Sequence, residues 1–510
     1  LAWKSAGERP IQPEPLEKVA VAISASSFSR RIFLKDPVRE RRILPMSISK
    51  LHPITNTSIN RGRRAFLGTS LGAMAAFGIL PSGLVSGANR VSPNSKVRLA
   101  VVGCGNRAGT IGVWFKKTGQ VDIVAVCDVD LEGKHCGEFL PQVPEARRYT
   151  DFRKMFDKEA GNIDAVIVGT PDHSHFPICM QAMALGKAVY VEKPMAHTFQ
   201  EVELMMKAAE KHNVVTQMGN QGHSEANHWQ FKAWAEAGVI KDVTRIDAYM
   251  TSSRRWHGWD PKGMPAGETP PPGIDWEAWI ATAPMTPFNA QLHPQTWRGW
   301  FDYGSGAFGD WGPHILDTCH RFLDLGLPEE ITAVKLDGRN EFIFPQSTTI
   351  AFKFPARGDK PACVVNWHDG RGNMPELPKE IPAGTELGNA GKIIYGKDNI
   401  FRGGSHGSTL RIAPEEKFRE IRKSLPDYEK KAPDHAMNFI LACRGEAAVN
   451  SPFSISGPLT QMFALGVLAQ RYGGTIKFDR TTKTITNQAN GPAMLAGRPP
   501  RSGWEQYYKL

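Results

Sequence analysis

One strand–turn–helix passage narrows the fold more than any other feature of the chain. Lys96 to Val102 reads as a buried strand, and Gly103-Cys104-Gly105-Asn106-Arg107-Ala108 comes directly after it. In such a turn the first glycine permits the tight bend, and the second lets a diphosphate approach the backbone. Ala108 stands where a small residue lets helix pack on strand, with the phosphates at the helix N-terminus. A second apolar run, Val121 to Cys127, ends at Asp128, 25 residues after Gly103. A carboxylate at that distance hydrogen-bonds the adenosine ribose hydroxyls and repels a 2′-phosphate, which favours NAD over NADP.

The alternation continues. Ile163 to Gly169 reads as a strand opening into Thr170-Pro171-Asp172-His173-Ser174-His175, and Pro177 to Leu185 as a helix. Ala188 to Val191 is a strand closing on Glu192-Lys193-Pro194. Thr198 to His212 is a longer helix, and Val214 to Met218 a last strand. Strands alternating with helices of this length imply a doubly wound parallel sheet. Ligands of such sheets bind beyond the carboxyl ends of the strands. Lys193 therefore faces whatever the glycine turn holds, and Pro194 restricts its backbone to an extended form. His173 and His175 lie at another strand's carboxyl end, where each reads equally as a turn residue or a site residue. Neither has the partners of a metal site, and no metal is expected.

Beyond Met218 the regular alternation stops. Nine of the 13 Trp fall between Trp229 and Trp311, and most are expected to fill core, with a few lining a cleft. The chemistry concentrates in Gly304 to Asp317. Asp310, His314 and Asp317 are spaced i, i+4, i+7, so one helix presents them on one face. Pro313 is expected near the start of that helix, with Asp310 at its entrance. Trp367-His368-Asp369-Gly370 reads as a strand leading into a loop, and Pro458 to Tyr472 as an amphipathic helix packing back on the body.

From about Lys96 onward these motifs resemble the glucose–fructose oxidoreductase / inositol dehydrogenase / rhizopine-catabolism (Gfo/Idh/MocA) family of NAD(P)-dependent oxidoreductases, and its planctomycete-type members in the Met374 to Pro382 loop. The resemblance rests on the glycine turn, Asp128, the Thr170 to His175 segment, Glu192-Lys193-Pro194, Gln217-Met218-Gly219-Asn220-Gln221 and the Asp310, His314, Asp317 pattern. It implies an α/β chain: an N-terminal Rossmann domain over 96–218, and over 219–510 an α+β domain with a large, mostly antiparallel open sheet. That second domain would bind substrate and join copies into a homo-oligomer. The resemblance further implies Lys193, Asp310 and His314 as the catalytic set. Cofactor binding would fall to Gly103, Gly105, Asn106, Arg107, Asp128, Thr170, Pro171, His173, His175, Glu192, Lys193, Asn220 and Gln221, and substrate binding to Asp317, Trp297 and Arg298. Oxidising a secondary alcohol needs a base for the hydroxyl proton, a role suited to His314. Lys193 would stabilise the developing alkoxide, and Asp310 would orient the pair.

Charge places the remainder. The formal net charge is +11, but residues 1–95 hold 14 of the 62 Lys/Arg and 5 of the 51 Asp/Glu. Residues 96–510 are nearly neutral, with 48 against 46, so nucleic acid is not an expected partner. Arg63-Arg64-Ala65-Phe66-Leu67, a soft apolar stretch to Val85 and Ser86-Gly87-Ala88 read as a twin-arginine export signal over 46–88, with 1–45 expected from an over-extended start at a chain whose initiator is Met46. The glycine-rich stretch makes a poor bilayer helix; an uncleaved leader would tether the protein. The seven Cys contain no C-x-x-C pair and read as free thiols. These features point to an exported, periplasmic oxidoreductase acting on a sugar or polyol with a retained, internally recycled NAD. The rival is an NAD-dependent glycosidase that oxidises a ring hydroxyl transiently so that elimination can follow; a non-catalytic sugar-binding module is disfavoured by the intact Lys193, Asp310 and His314 set.

Overall fold

Six parallel strands in the order β3-β2-β1-β4-β5-β6 form the first sheet of the computed structural model, which describes residues 91–92, 95–252, 255–430 and 433–510. Residues 1–90, and with them the export-signal and start-site readings, lie outside the described residues. The elements are β1 (Val97–Val102), α1 (Asn106–Lys117), β2 (Val121–Cys127), β3 (Arg147–Tyr149), α2 (Phe152–Glu159), β4 (Ala165–Val168), α3 (Asp172–Ala184), β5 (Ala188–Val191), α4 (Phe199–His212) and β6 (Thr216–Met218). Helices cover both faces, so the central strands are apolar throughout; Ala165, Val166, Ile167 and Val168 of β4 are all fully buried. This is the doubly wound order, with its crevice where the strands diverge on either side of β1 and β4. A capping box starts α4: Thr198 accepts from the Glu201 N–H, and the Glu201 carboxylate accepts from the Thr198 N–H.

The second sheet has nine strands and is mostly antiparallel, in the order β13-β12-β11-β7-β10-β9-β8-β14-β15. Its elements are α5 (Ala226–Glu236), β7 (Arg245–Met250), α6 (Trp276–Ile280), α7 (Gly306–Ile315), α8 (Asp317–Phe322), β8 (Glu330–Asp337), β9 (Ser347–Phe354), β10 (Cys363–Asp369), β11 (Ala390–Tyr395), β12 (Ile400–Gly403), β13 (Arg411–Ala413), α9 (Glu415–Ile421), α10 (His435–Arg444), α11 (Phe453–Tyr472), β14 (Thr475–Asp479), β15 (Thr484–Ile485) and α12 (Gly491–Ala496). The pairing of β7 with β10 is parallel and the others are antiparallel. One face of this sheet is covered, and β10 alternates accordingly, burying Cys363, Val365, Trp367 and Asp369.

α11 joins the two sheets. Its Gln461 donates to Glu203 of α4, while its Phe463 stacks on Phe308 of α7. Phe308 is fully buried and also stacks on Trp367 of β10, with ring centroids 4.9 Å apart. Three prolines sit inside helices rather than at their starts. α3 begins at Asp172 and α11 at Phe453, each five residues ahead of Pro177 and Pro458. A proline deletes a single N–H bond, so a helix whose earlier residues are well packed begins ahead of it. α7 likewise begins at Gly306, not near Pro313, which falls in its last turn; the helix breaks at Leu316 and resumes as α8. Among the described residues no helix is long and apolar enough to cross a membrane, and all seven cysteines are free and buried.

Because Phe308 links α7, α11 and β10, Phe308→Ala should lower stability by about 3–5 kcal/mol, the cost of an emptied aromatic site. Chemical denaturation of the purified variant measures this, and an unchanged midpoint would show that the two sheets do not share a core through α7.

Candidate active site

A cleft opens beyond the carboxyl ends of β1, β2, β4 and β5, and two contiguous lobes of it meet at Asn106, Arg107, Gly169, Thr170, Trp297 and Arg298. The first lobe lies along the glycine turn. Gly103 has φ +87°, and a side chain there would run into the backbone of Gly169 at 2.9 Å, so the turns after β1 and β4 touch directly. Ala108 packs under Gly169 as the small residue at its position requires. Asp128 closes β2. Its Oδ2 accepts from the Cys104 N–H at 2.7 Å and its Oδ1 from the Asp130 N–H at 3.0 Å, while His135 Nε2 lies 3.7 Å from Oδ1. Burial pushes the Asp128 carboxyl up, but the His135 ring and these two N–H groups outweigh it and hold the pKa below the usual carboxylate range.

The space beside Gly105, expected to admit a diphosphate, is filled on its side-chain side by the His135 ring. The roof of this lobe comes from the C-terminal half through Trp279, His293, Pro294, Trp297 and Arg298. His293 Nε2 lies 3.1 Å from Asp130 Oδ2. Asp130, His135 and His293 bring one donor atom each within 4.8 Å of one another, a grouping that the sequence does not suggest. Nothing in the spacing of these residues announces it, because His293 comes from a segment far along the chain.

The second lobe holds two of the catalytic candidates, Lys193 and Asp310. Lys193, just beyond β5, donates to Asp310 Oδ1 at 2.7 Å and to the Asp310 carbonyl at 3.0 Å. Arg255 donates to the other carboxylate oxygen of Asp310. Burial pushes the Asp310 carboxyl up, but the charges of Lys193 and Arg255, with a contribution from Arg298, hold it far below the usual range. One turn further along α7 lies His314, 6% exposed and with its Nδ1 buried and unpartnered. Burial, together with the charge of Lys193, keeps its pKa well below 6.5, so the ring is neutral at neutral pH. The His406 ring lies flat against it, with centroids 4.0 Å apart. Arg255 and His406 are not evident from the sequence: each lies in a stretch with no motif, and only the fold brings Arg255 to the cleft and His406 onto His314.

The remaining candidates divide. Thr170, Pro171, His175, Glu192, Trp297 and Arg298 line the cleft. His175 sits between two backbone carbonyls, those of Pro194 and Thr170, with a ring nitrogen 2.8 Å from each, and so braces two strand ends. The Arg298 guanidinium lies over the Trp297 ring at 4.2 Å. Five candidates do not line either lobe, contrary to the contacts expected of them: His314 lies one turn beyond Asp310, and the other four are held elsewhere. His173 turns away on α3 to the Trp279 carbonyl at 2.7 Å, and burial pushes its pKa down to about 3. Asn220 is buried, its Oδ1 accepting from Ser451. Gln221 donates to Tyr190 and to Glu192 Oε1 from behind the cleft wall. Asp317 falls beyond the break at Leu316, buried 3.5 Å from His223 Nε2, and burial pushes its pKa up to about 6.

The first lobe fits a dinucleotide. The start of α1 offers N–H groups for a diphosphate and Asp128 offers a carboxylate for a ribose; in the adjoining second lobe Glu192 Oε2 is a buried acceptor left without a partner.

Comparison with known proteins agrees with this geometry. Residues 97–220 match the family described as "Oxidoreductase family, NAD-binding Rossmann fold", and residues 235–340 match "Oxidoreductase family, C-terminal alpha/beta domain". Oxidoreductase P35 of Formosa agariphila is 23% identical over 54% of this chain and 78% of its own length. The 2,7-anhydro-N-acetylneuraminate hydratase of Mediterraneibacter gnavus is 26% identical, but the match covers 46% of this chain and 51% of that protein. A glycosyl hydrolase family 109 protein of Saccharopolyspora erythraea is 28% identical over 29% of this chain and 37% of its own length. Among solved structures, the WlbA dehydrogenase of Bordetella pertussis, in complex with NADH and UDP-GlcNAcA, shares the fold with a TM-score of 0.50 at 17% identity, over 75% of this chain and 99% of that one. The two models are the NAD-binding and the C-terminal domain of the Gfo/Idh/MocA oxidoreductases, so both parts of the chain resemble that family.

Removing the carboxylate shared by Lys193 and Arg255 leaves two partly buried cations facing each other. Asp310→Ala should therefore cost about 3–5 kcal/mol in stability, the penalty of breaking a buried pair. Thermal or chemical unfolding of the variant tests this; a stability equal to that of the unaltered protein would mean that the three side chains do not share one electrostatic site.

Proposed function

We propose that this protein, as a member of the Gfo/Idh/MocA family, oxidises a secondary hydroxyl of a sugar or polyol, passing hydride to an NAD held in the first lobe of the cleft. The observation that carries the reading is Lys193, just beyond β5, bound to Asp310 of α7 in the lobe beside the glycine turn, with His314 one turn further along that helix. NAD, when bound, supplies the hydride acceptor. The chain supplies the rest. His314, buried and neutral, takes the hydroxyl proton. Lys193 places a positive charge where the oxygen develops negative charge, and Asp310 with Arg255 fixes the direction of the ammonium. Trp297 and Arg298 face the second lobe as substrate contacts, and Asp317 supports α7 from behind rather than touching substrate.

NAD over NADP rests on Asp128, whose ionised carboxylate at the end of β2 repels a 2′-phosphate. The reading includes export through the signal assigned to residues 46–88. A folded protein delivered to a compartment without free NAD has to keep its cofactor and reoxidise it in place, with a second substrate or with its own product. The roofing of the first lobe by Trp279, His293 and Trp297 supports such retention. The glycosidase alternative is supported by the matches to glycosyl hydrolase family 109 proteins, and it shares the opening hydride step. Release of aglycone from aryl glycosides without added cofactor would favour it; oxidised sugar as the sole product would favour the dehydrogenase.

Lys193→Ala and His314→Ala should each reduce hydride transfer by ~10²–10³ or more, the typical worth of one group acting on the reacting oxygen, while NAD binding persists. Single-turnover absorbance of reduced nicotinamide, beside a separate measurement of NAD affinity, checks both halves. Near-normal turnover in either variant would refute the assignment.

Asp128→Ala should weaken NAD and narrow its advantage over NADP, as titration of each cofactor would show. A protein that already prefers NADP would contradict the role given to Asp128.

A further inference from the structure

The last turn of α7 leaves the His314 carbonyl without a helical partner, because the helix breaks at Leu316 and the Thr318 N–H turns to Asp317 Oδ1. That carbonyl is satisfied from outside: the His406 N–H donates to it at 2.8 Å. His406 belongs to the loop 404–410 that joins β12 to β13 on the second sheet. It is held there in the left-handed region at φ +52°, and the space beside the next residue, Gly407, is taken by the Glu225 side chain. The Ser405 hydroxyl lies 3.0 Å from His406 Nδ1 and fixes the ring's rotation. So oriented, the ring lies over His314 at a centroid separation of 4.0 Å and a tilt of 15°, with the edge of Trp311 against both rings. His406 is exposed on its outer side and His314 is buried beneath it.

We propose that His406 is a positioning residue for the reaction: a cover that lies on the catalytic base, keeps water from it and so keeps it neutral. The proposal rests on the reading of His314 as that base. A flat ring at 4.0 Å leaves no room for water between the two imidazoles, and parallel rings exchange no direct hydrogen bond. The cover therefore acts through exclusion and charge rather than by carrying the proton. The charged groups around the pair are Lys193 from the end of β5, Arg107 from α1 and Asp310 on α7, two cations against one carboxylate. In that field a second imidazolium stacked on the first would be repelled. Burial and these cations lower the pKa of His406 as well, so both rings are neutral at working pH.

The test compares His406→Ala with His406→Phe in the full protein. His406→Ala uncovers the base; its pKa should rise toward 6.5, moving the acid limb of the kcat profile upward by on the order of one pH unit, the spread that environment imposes on histidines in folded proteins. Rates at pH ~6 should then fall more than rates at pH ~8, with NADH affinity unchanged. His406→Phe keeps a flat cover and should retain the original limb. Histidine NMR titration reads the His314 pKa in each variant without reference to activity. An unmoved His314 titration in His406→Ala, or equal shifts in both variants, would overturn the proposal. Loss of turnover at every pH in His406→Phe would do so too, by making a nitrogen of His406 a reacting group. Full activity in His314→Ala would instead defeat the underlying reading of the base.

Discussion

The Asp310 carboxylate, shared between Lys193 and Arg255, is the interaction on which the site depends. It ties the carboxyl end of β5 in the parallel sheet to α7 of the second domain. Both oxygens are committed, so neither cation is free to swing. Coulomb attraction at such distances is strong in a partly buried cleft, and the desolvation of three charges is offset only because all three are satisfied together. His314 lies one turn along the same helix, so whatever fixes Asp310 also fixes His314. Burial is the main cause of the neutrality of the His314 ring, and the Lys193 charge that binds Asp310 adds to it by opposing a proton on the neighbouring imidazole.

The rest of the architecture holds α7 in place. Phe308 on its buried side stacks on Trp367 and Phe463, which anchors the helix to β10 and α11. Asp172, at the start of α3, accepts from the Ser305 N–H ahead of the helix. His406 satisfies the open carbonyl near its other end. The helix is thus restrained at its beginning, along its buried face and at its break, by residues from both domains.

Much of the nucleotide half was legible in the sequence. Strands buried on both faces are continuous apolar runs, and the glycine turn, Asp128 and Lys193 come after them at strand ends, where topology alone decides that they meet. The short strand Arg147–Tyr149 escaped because an edge strand of three residues, two of them Arg, has no apolar signature. In the site, Asp310 and His314 were readable from helical spacing, but Asp317 was not, since periodicity assumes a helix without the break at Leu316. His173 and His175 look equivalent in sequence and differ only in which way α3 turns them. Arg255, His293 and His406 were illegible for another reason: each reaches the site through a contact far along the chain, and no local pattern records such a contact.

The central claim is that the chain's own residues draw a proton from a carbinol while its hydride passes to a cofactor that stays bound. Isotope tracing tests it most directly. The desalted protein, given no NAD, is mixed with a candidate polyol deuterated at the carbinol carbon, and the protein-bound dinucleotide is analysed by mass spectrometry. The account predicts deuterium in the bound cofactor. Unlabelled bound cofactor, or label appearing only when NAD is supplied and exchanged, would contradict it.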